Sequence, residues 1–215
     1  MIEMFLLKDR NEWLEERSKR IGGSDAASIV GMNPWKSNVE LWEIKTKRKK
    51  AEETASIYAK YGTEAEQHLR ALFILDYPQL KVDYAENNLF LNDKYPFAHA
   101  SLDGWLTDQN GRKGILEIKT TTIQNPSQKT KWDGRIPDNY YCQVCWYMGV
   151  YEAEFAILKA QLKWDRDGEI FEVIKHYHVE RSDVQNDIEY LFQKGSEFWE
   201  YCKNDIQPPL ILPAI

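Results

Sequence analysis

Near residue 97 the hydrophobic pattern of this chain changes period, and neither an all-helical nor an all-strand architecture accommodates both sides of that change. Before it, the pattern is helical. Asp9-Arg-Asn-Glu12 begins a short helix with a capping-box pattern, and Ser37-Asn-Val-Glu40 opens another just after Asn33-Pro34. Between them Arg20-Ile-Gly-Gly-Ser24 runs a glycine pair into a serine cap and a helix of small residues. A third helix spans about Thr63 to Asp76, where Ala65, Leu69, Leu72 and Phe73 follow the i, i+4, i+7, i+8 spacing of a buried stripe. After residue 97, Phe97–Leu106 and Gly114–Thr121 read as two strands joined by a hairpin-type turn at Asp108-Gln-Asn-Gly111. An aromatic-rich helix over Asn139–Val150 follows, then strands near 154–164 and 169–179 joined by Asp165-Arg-Asp-Gly168. Ser182-Asp-Val-Gln185 caps a last helix that runs to about Lys203. The order predicts a mixed α/β fold. With no repeat, low-complexity tract or Gly/Ser linker, one domain over residues 1–215 is expected.

Composition narrows the functional class. Lys and Arg number 28 against 34 Asp and Glu, a net charge of −6, so the chain lacks the broad positive field of a general nucleic-acid coat protein. Contact with DNA then requires local basic features or metal ions. No run approaches the ~18–20 apolar residues of a membrane span, and the start has no basic leader, so no membrane association or signal peptide is expected. Three cysteines in core-like sequence suit a reducing, cytoplasmic compartment.

Alternation along the two central strands sets out the candidate chemistry. Ser101, Asp103 and Trp105 share one strand face. On the second strand Ile115, Glu117 and Lys119 share a face, while Leu116 and Ile118 point the other way into the core. If the strands are hairpin neighbours, Asp103 meets Glu117 and Lys119, and two carboxylates there repel unless a cation lies between them. A hard divalent ion held through oxygens answers that, and Mg²⁺ uses one or two carboxylates while keeping its waters. A neighbouring lysine then positions or deprotonates the attacking water of a phosphodiester hydrolysis. The bland alternative is a strand-surface ion pair beside a turn. On the third helix Glu66 lies about 20° beyond Phe73 at the rim of the apolar stripe, at ~100° per residue, and is a better third acid than solvent-facing Glu64. Tyr140, Gln143 and Tyr147 share a face of the aromatic helix, and a buried Gln there needs a partner such as a lysine ammonium or a water.

Asp103 and Glu117-Ile-Lys119, preceded by Gly62-Thr-Glu-Ala-Glu66 and followed by Tyr140-Tyr-Cys-Gln143-Val, resemble the lambda exonuclease and YqaJ-type viral recombinase group of the PD-(D/E)XK nuclease superfamily. Trp13-Leu-Glu-Glu-Arg17 and Ile21-Gly-Gly-Ser24 fit it too, and the likeness runs from about Trp13 to Leu162. Leu102 stands where the superfamily's name has proline. The resemblance implies a restriction-endonuclease-like core, a central mixed β-sheet flanked by helices. It implies metal ligation by Asp103, Glu117 and the Ile118 carbonyl, completed by Glu66, with Mg²⁺ as the ion and Mn²⁺ as a substitute. Lys119 would orient and activate the water, with Gln143 and Tyr140 in support. Arg17, Ser24 and Ser101 match a pocket for a 5′-terminal phosphate, and Arg20 is the alternative to Arg17. The implied activity is digestion of linear duplex DNA from its 5′ end, leaving 3′ single strands for recombination. The implied partners are double-stranded DNA with free ends, a single-strand annealing protein and further copies of the chain in a ring, a trimer among the options, within a bacterial or phage-infected cell. The rival readings are an endonuclease of the same superfamily and an inactive DNA-end-binding protein.

Other features stay open. The basic run Lys45–Lys50 either grips a DNA backbone or forms a solvated helix end. Trp132, amid Lys129, Lys131 and Arg135 in what reads as a long loop, either stacks on an unpaired base or anchors the loop. Cys142 and Cys145 read as core thiols, since an iron–sulfur cluster needs four ligands and only Cys202 remains. His176 and His178 share a strand face but lack the companions of a zinc site.

Overall fold

In the computed structural model, which describes residues 1–50 and 56–212, the chain runs in the order β1 (Ile2–Leu6), α1 (Arg10–Ser18), α2 (Gly23–Ile29), α3 (Asn38–Lys45), α4 (Ile57–Asp76), β2 (Lys81–Asp83), β3 (Asn88–Asn92), β4 (Gly104–Thr107), β5 (Lys113–Thr122), α5 (Pro126–Thr130), α6 (Asp138–Tyr151), β6 (Phe155–Arg166), β7 (Glu169–Glu180) and α7 (Arg181–Lys203). Helix starts follow local capping chemistry. Asp9 accepts the N–H groups of Asn11 and Glu12 at 2.9 and 3.0 Å, and Ser37 accepts that of Glu40 at 3.1 Å. Ser56 caps α4 through the Ala59 N–H, so this helix begins at Ile57, well before the expected Thr63. At α2 the cap is Gly22 and not Ser24: the Asp25 carboxylate reaches back to the Gly22 N–H at 3.2 Å, and Ser24 sits exposed in the first turn. Similarly, α7 starts at Arg181, one residue before the expected Ser182 cap.

Five strands form the main sheet in the order β2-β4-β5-β6-β7, and β1 pairs with β3 apart from it. Among the described residues only β5 and β6 run parallel in this sheet; its other pairs are antiparallel, so the sheet is mixed. A parallel pair needs a crossover, and α5 and α6 supply it. The β6–β7 hairpin turns through Asp167 and Gly168, both at positive φ (57° and 85°), the conformation of a tight two-residue turn.

Both faces of β5 are covered. Ile115 belongs to a core built with α2, α6 and α7, where Ala26, Val144, Trp146 and Phe192 pack. Leu116 and Ile118 face a second, smaller core against Ala65, Leu69 and Phe73 of α4. The expected architecture, a central mixed sheet flanked by helices, is the one observed. Among the described residues no helix is long and apolar enough to cross a membrane.

The segment expected to form a strand from Phe97 to Leu106 does so only from Gly104. Between a turn at Phe97 and a bend at Asp103 only isolated bridges form, and the backbone is shared among several partners. Ala98 bridges Ile21, Ala100 bridges Phe90, and the Asn88 carboxamide pairs with the N–H and carbonyl of Leu102 at 2.8 and 2.9 Å. The stretch read as a long loop contains α5, capped by Asn125.

Candidate active site

β5 turns Glu117 and Lys119 toward α6, and there the polar groups converge. Glu117 is 2% exposed. One of its oxygens, Oε1, accepts from Gln143 Nε2 at 2.8 Å and from Lys119 Nζ at 2.6 Å. The Gln143 amide also reaches the Tyr147 hydroxyl at 3.2 Å. The other carboxylate oxygen, Oε2, is buried with no hydrogen-bond partner among the described residues. A buried acceptor left unpaired is costly.

Asp103 sits at a bend just before β4. Its Oδ2 accepts the Ile118 N–H at 2.7 Å, which lays the carboxylate against the backbone of β5 beside Glu117. Burial, then the charges of Glu117 and Glu66, push the Asp103 carboxyl well above its ordinary value. Glu117 is raised as well, by burial and despite Lys119. Burial works against a charged Lys119, yet Glu117 and Asp103 together raise it above the ordinary lysine value. The ammonium also lies 5.1 Å from the Tyr140 ring centre. The carboxylate oxygens of Asp103 and Glu117 are hard donors of the kind a divalent cation takes.

Glu66 arrives from α4 on the opposite face of the sheet. Its Oε1 is paired with Arg70 at 2.8 Å, and its charge is felt at Asp103 and Glu117. Among the described residues no group of three or more His, Cys, Asp and Glu side chains is gathered as an ion site. Arg70 was not singled out by sequence, whereas Tyr147 was named only for the helix face it shares with Tyr140 and Gln143. The i, i+4 spacing from Glu66 is the signal that marks Arg70, and its helical face with Gln143 is the one that marks Tyr147.

The basic candidates separate clearly. Arg17 stacks on Trp13, 4.0 Å from the ring centre, and its charge acts on Glu117, Tyr147 and His99. The Trp13 indole is itself fixed by the Asn88 carbonyl at 3.0 Å. Arg20 has one buried guanidinium nitrogen without a hydrogen bond, 3.7 Å from Glu16, and its carbonyl accepts from Lys45 at 2.6 Å. The Ser101 hydroxyl is buried and unpartnered. Gly22 and Gly23 pass tightly over His99 and Tyr147: a Cβ on either would lie 2.7 or 2.4 Å from a ring atom.

Other sequence candidates have structural duties. Lys45 is buried against Asp25 at 2.8 Å, Arg48 pairs with Asp205 at 2.6 Å over the Trp42 ring, and Lys49 pairs with Glu40. Trp132 is buried and packs on Tyr140 and Tyr177, an anchor and not an open stacking surface. Burial pushes the Cys142 and Cys145 thiols up to about 12. His176 and His178 contact the Tyr77 ring. A cleft of about 950 Å³ opens at the end of β5, lined in part by Trp35, Tyr58, Thr120, Trp132 and Tyr140.

Comparison with known proteins fixes the relationship. Residues 12–154 match the YqaJ-like viral recombinase domain. The chain belongs to this family. The matched span contains Arg17, Ser24, Glu66, Asp103, Glu117, Lys119 and Gln143. A family relative, the uncharacterized protein YqaJ of Bacillus subtilis (strain 168), is 35% identical over 182 residues, covering 80% of this chain and 54% of that protein. The chain therefore spans about half the length of that relative. Its fold is also that of an alkaline exonuclease from Laribacter hongkongensis (TM-score 0.63, 19% identity, covering 91% of this chain and 93% of that one). A phage-related exonuclease from Haemophilus somnus 129PT shares it too (TM-score 0.54, 15% identity, 86% and 96% covered). The mixed sheet flanked by helices is a PD-(D/E)XK-like core.

Proposed function

We propose that this family member is a metal-dependent nuclease that digests linear double-stranded DNA in the 5′ to 3′ direction, leaving 3′ single strands for recombination by strand annealing. The observation that carries the reading is Glu117: a buried carboxylate with one oxygen held by Lys119 and Gln143 and the other unpartnered, beside a second buried carboxylate. Repulsion between Asp103 and Glu117 is relieved by a cation between them, so the residues fit Mg²⁺ or Mn²⁺, with Asp103, Glu117 and the Ile118 carbonyl as ligands and Glu66 close by. When bound, the ion supplies Lewis acidity toward a phosphoryl oxygen and makes water a stronger nucleophile at neutral pH.

The chain's own groups do the rest. Lys119 is a donor that orients the attacking water and offsets charge on the phosphate, and Gln143 keeps Glu117 in register with it. Tyr140 supports the ammonium from below. Arg17, with Ser24 and Ser101, receives the 5′-terminal phosphate; Arg17 is favoured over Arg20 because its charge reaches Glu117 and Tyr147. The two exonucleases of the same fold support an end-dependent reaction. A homo-oligomeric ring around DNA and an annealing-protein partner belong to the same proposal.

The test uses linear duplex DNA labelled at the 5′ or the 3′ end, beside covalently closed circles, with Mg²⁺, with EDTA and with a Lys119→Ala variant. Early release of the 5′ label as mononucleotide, intact circles and silence in both controls are expected. Nicked circles would transfer the assignment to an endonuclease. Binding to DNA ends without any metal-dependent product would leave an end-binding protein.

A further inference from the structure

Arg70 is a charged side chain at nine-tenths burial in a part of the chain that otherwise contributes apolar residues to the smaller core. Its guanidinium Nη1 donates to Glu66 Oε1 at 2.8 Å and to the main-chain carbonyl of Asp103 at 2.7 Å. The centre of the guanidinium lies 3.3 Å from the centre of the Tyr84 ring, which covers its face. One planar group thus joins helix α4, the residue before β4 and the segment between β2 and β3. Arginine suits this: its charge is permanent, its donors are fixed in a plane and its face stacks on aromatics.

Glu66 is a flexible side chain at the rim of a helix. Tied to Arg70, its carboxylate has a set position relative to Asp103. Asp103 is in turn gripped at two points, its carbonyl by Arg70 and its carboxylate by the Ile118 N–H at 2.7 Å. Three acids whose charges act on one another, Glu66, Asp103 and Glu117, are balanced by two cations, Lys119 and Arg70.

We infer that Arg70 is a positioning residue of the candidate metal site, setting where Glu66 and Asp103 stand relative to each other and so the affinity for a divalent cation. This rests on the nuclease reading above. Partners of this outer kind change metal affinity by roughly 10–100-fold when removed.

The experiment is calorimetric titration of Mn²⁺ into the metal-free wild type, Arg70→Gln, Arg70→Lys, Glu66→Gln and the Arg70→Gln/Glu66→Gln double variant, with folding of each checked by circular dichroism. Arg70→Gln is expected to weaken Mn²⁺ binding by about 10–100-fold, and Arg70→Lys, which keeps the charge and loses the planar fork, by less. Because Arg70 acts through Glu66, the double variant should lose less than the product of the two single losses. A merely structural arginine gives losses that multiply. Unchanged affinity in Arg70→Gln, or multiplying losses, would overturn this inference while leaving the nuclease reading intact. A wild type that binds no Mn²⁺ would overturn both. If Arg70→Gln does not fold, the cycle built from Arg70→Lys and Glu66→Gln reads the same coupling.

Discussion

Adding one methyl group at Gly23 should cost more than its size suggests. A Cβ there would stand 2.4, 2.8 and 2.9 Å from Cε1, Cδ1 and Cζ of Tyr147. Ordinary carbon contacts begin near 3.5 Å, so α2 and α6 must separate by roughly 1 Å, or the ring must turn aside. The ring has little room: Tyr147 is 3% exposed, and its hydroxyl meets the Gln143 amide. Overpacking of this kind costs about 1–3 kcal/mol, while replacing glycine by alanine in a helix returns at most ~1 kcal/mol. A net loss of about 1–2 kcal/mol corresponds to a melting temperature roughly 3–6 °C lower in a chain of this size. Thermal and urea denaturation of Gly23→Ala, alone and combined with Tyr147→Leu, measure it. The smaller side chain removes the obstruction, so the glycine substitution should cost less in that background. If Gly23→Ala melts at or above the wild type, or costs the same beside Tyr147→Leu, the packing argument is wrong.

Three other outcomes follow from buried polar groups. Lys45→Met leaves Asp25 with only Lys36 and the Gly22 N–H, and should destabilise by about 3 kcal/mol at neutral pH. Burial raises the Asp25 carboxyl, but Lys45 and Lys36 outweigh it and hold the group well below its ordinary value. The ion pair's contribution is therefore complete above about pH 4 and fades as the pH falls below that, so urea midpoints of wild type and variant should converge in acid. Asn88→Ala strands the buried N–H and carbonyl of Leu102 and should cost about 2–4 kcal/mol in equilibrium unfolding. The Cys142 and Cys145 thiols, raised to about 12, favour the fold below their unfolded value. Stability should therefore decline as the pH rises above about 8.5, and thiol reagents should label both cysteines in urea but not in the native protein.

Much of this architecture could be read from residue order because its signals are local. The hairpin from Phe155 to Glu180 announces itself by two apolar strands around Asp165-Arg-Asp-Gly168, and helix α6 by an aromatic face that the core then buries. Glu117 and Lys119 were found for the same reason: strand alternation puts them on one face whatever else happens. What stayed hidden depends on partners distant in sequence. Strand β3, Asn-Leu-Phe-Leu-Asn, has no clear alternation because it is buried almost throughout and is defined by its pairing with β1. Residues 97–103 alternate like a strand, but their hydrogen bonds are divided among segments no local rule connects. Ser24 looked like a cap because its type favours one, while Asp25 supplied the bond to Gly22 from three residues on. The basic run at Lys45–Lys50 stayed open between a DNA grip and a solvated helix end because sequence does not show that Asp25, Glu40 and Asp205 fold back onto Lys45, Lys49 and Arg48.

The single parallel pairing in the main sheet also sets an order of assembly. Strand β5 finds β4 at once through a short turn, whereas its other neighbour, β6, follows only after α5 and α6. As the chain leaves the ribosome, Glu117 and Lys119 are synthesised well before Gln143 and before the strand that closes β5 on its second edge. Until then the acids are hydrated and their charges screened. The burial and pairing of these side chains are therefore properties of the finished sheet: an unfinished nascent chain carries Glu117 and Lys119 without the surroundings that bury them and hold them together.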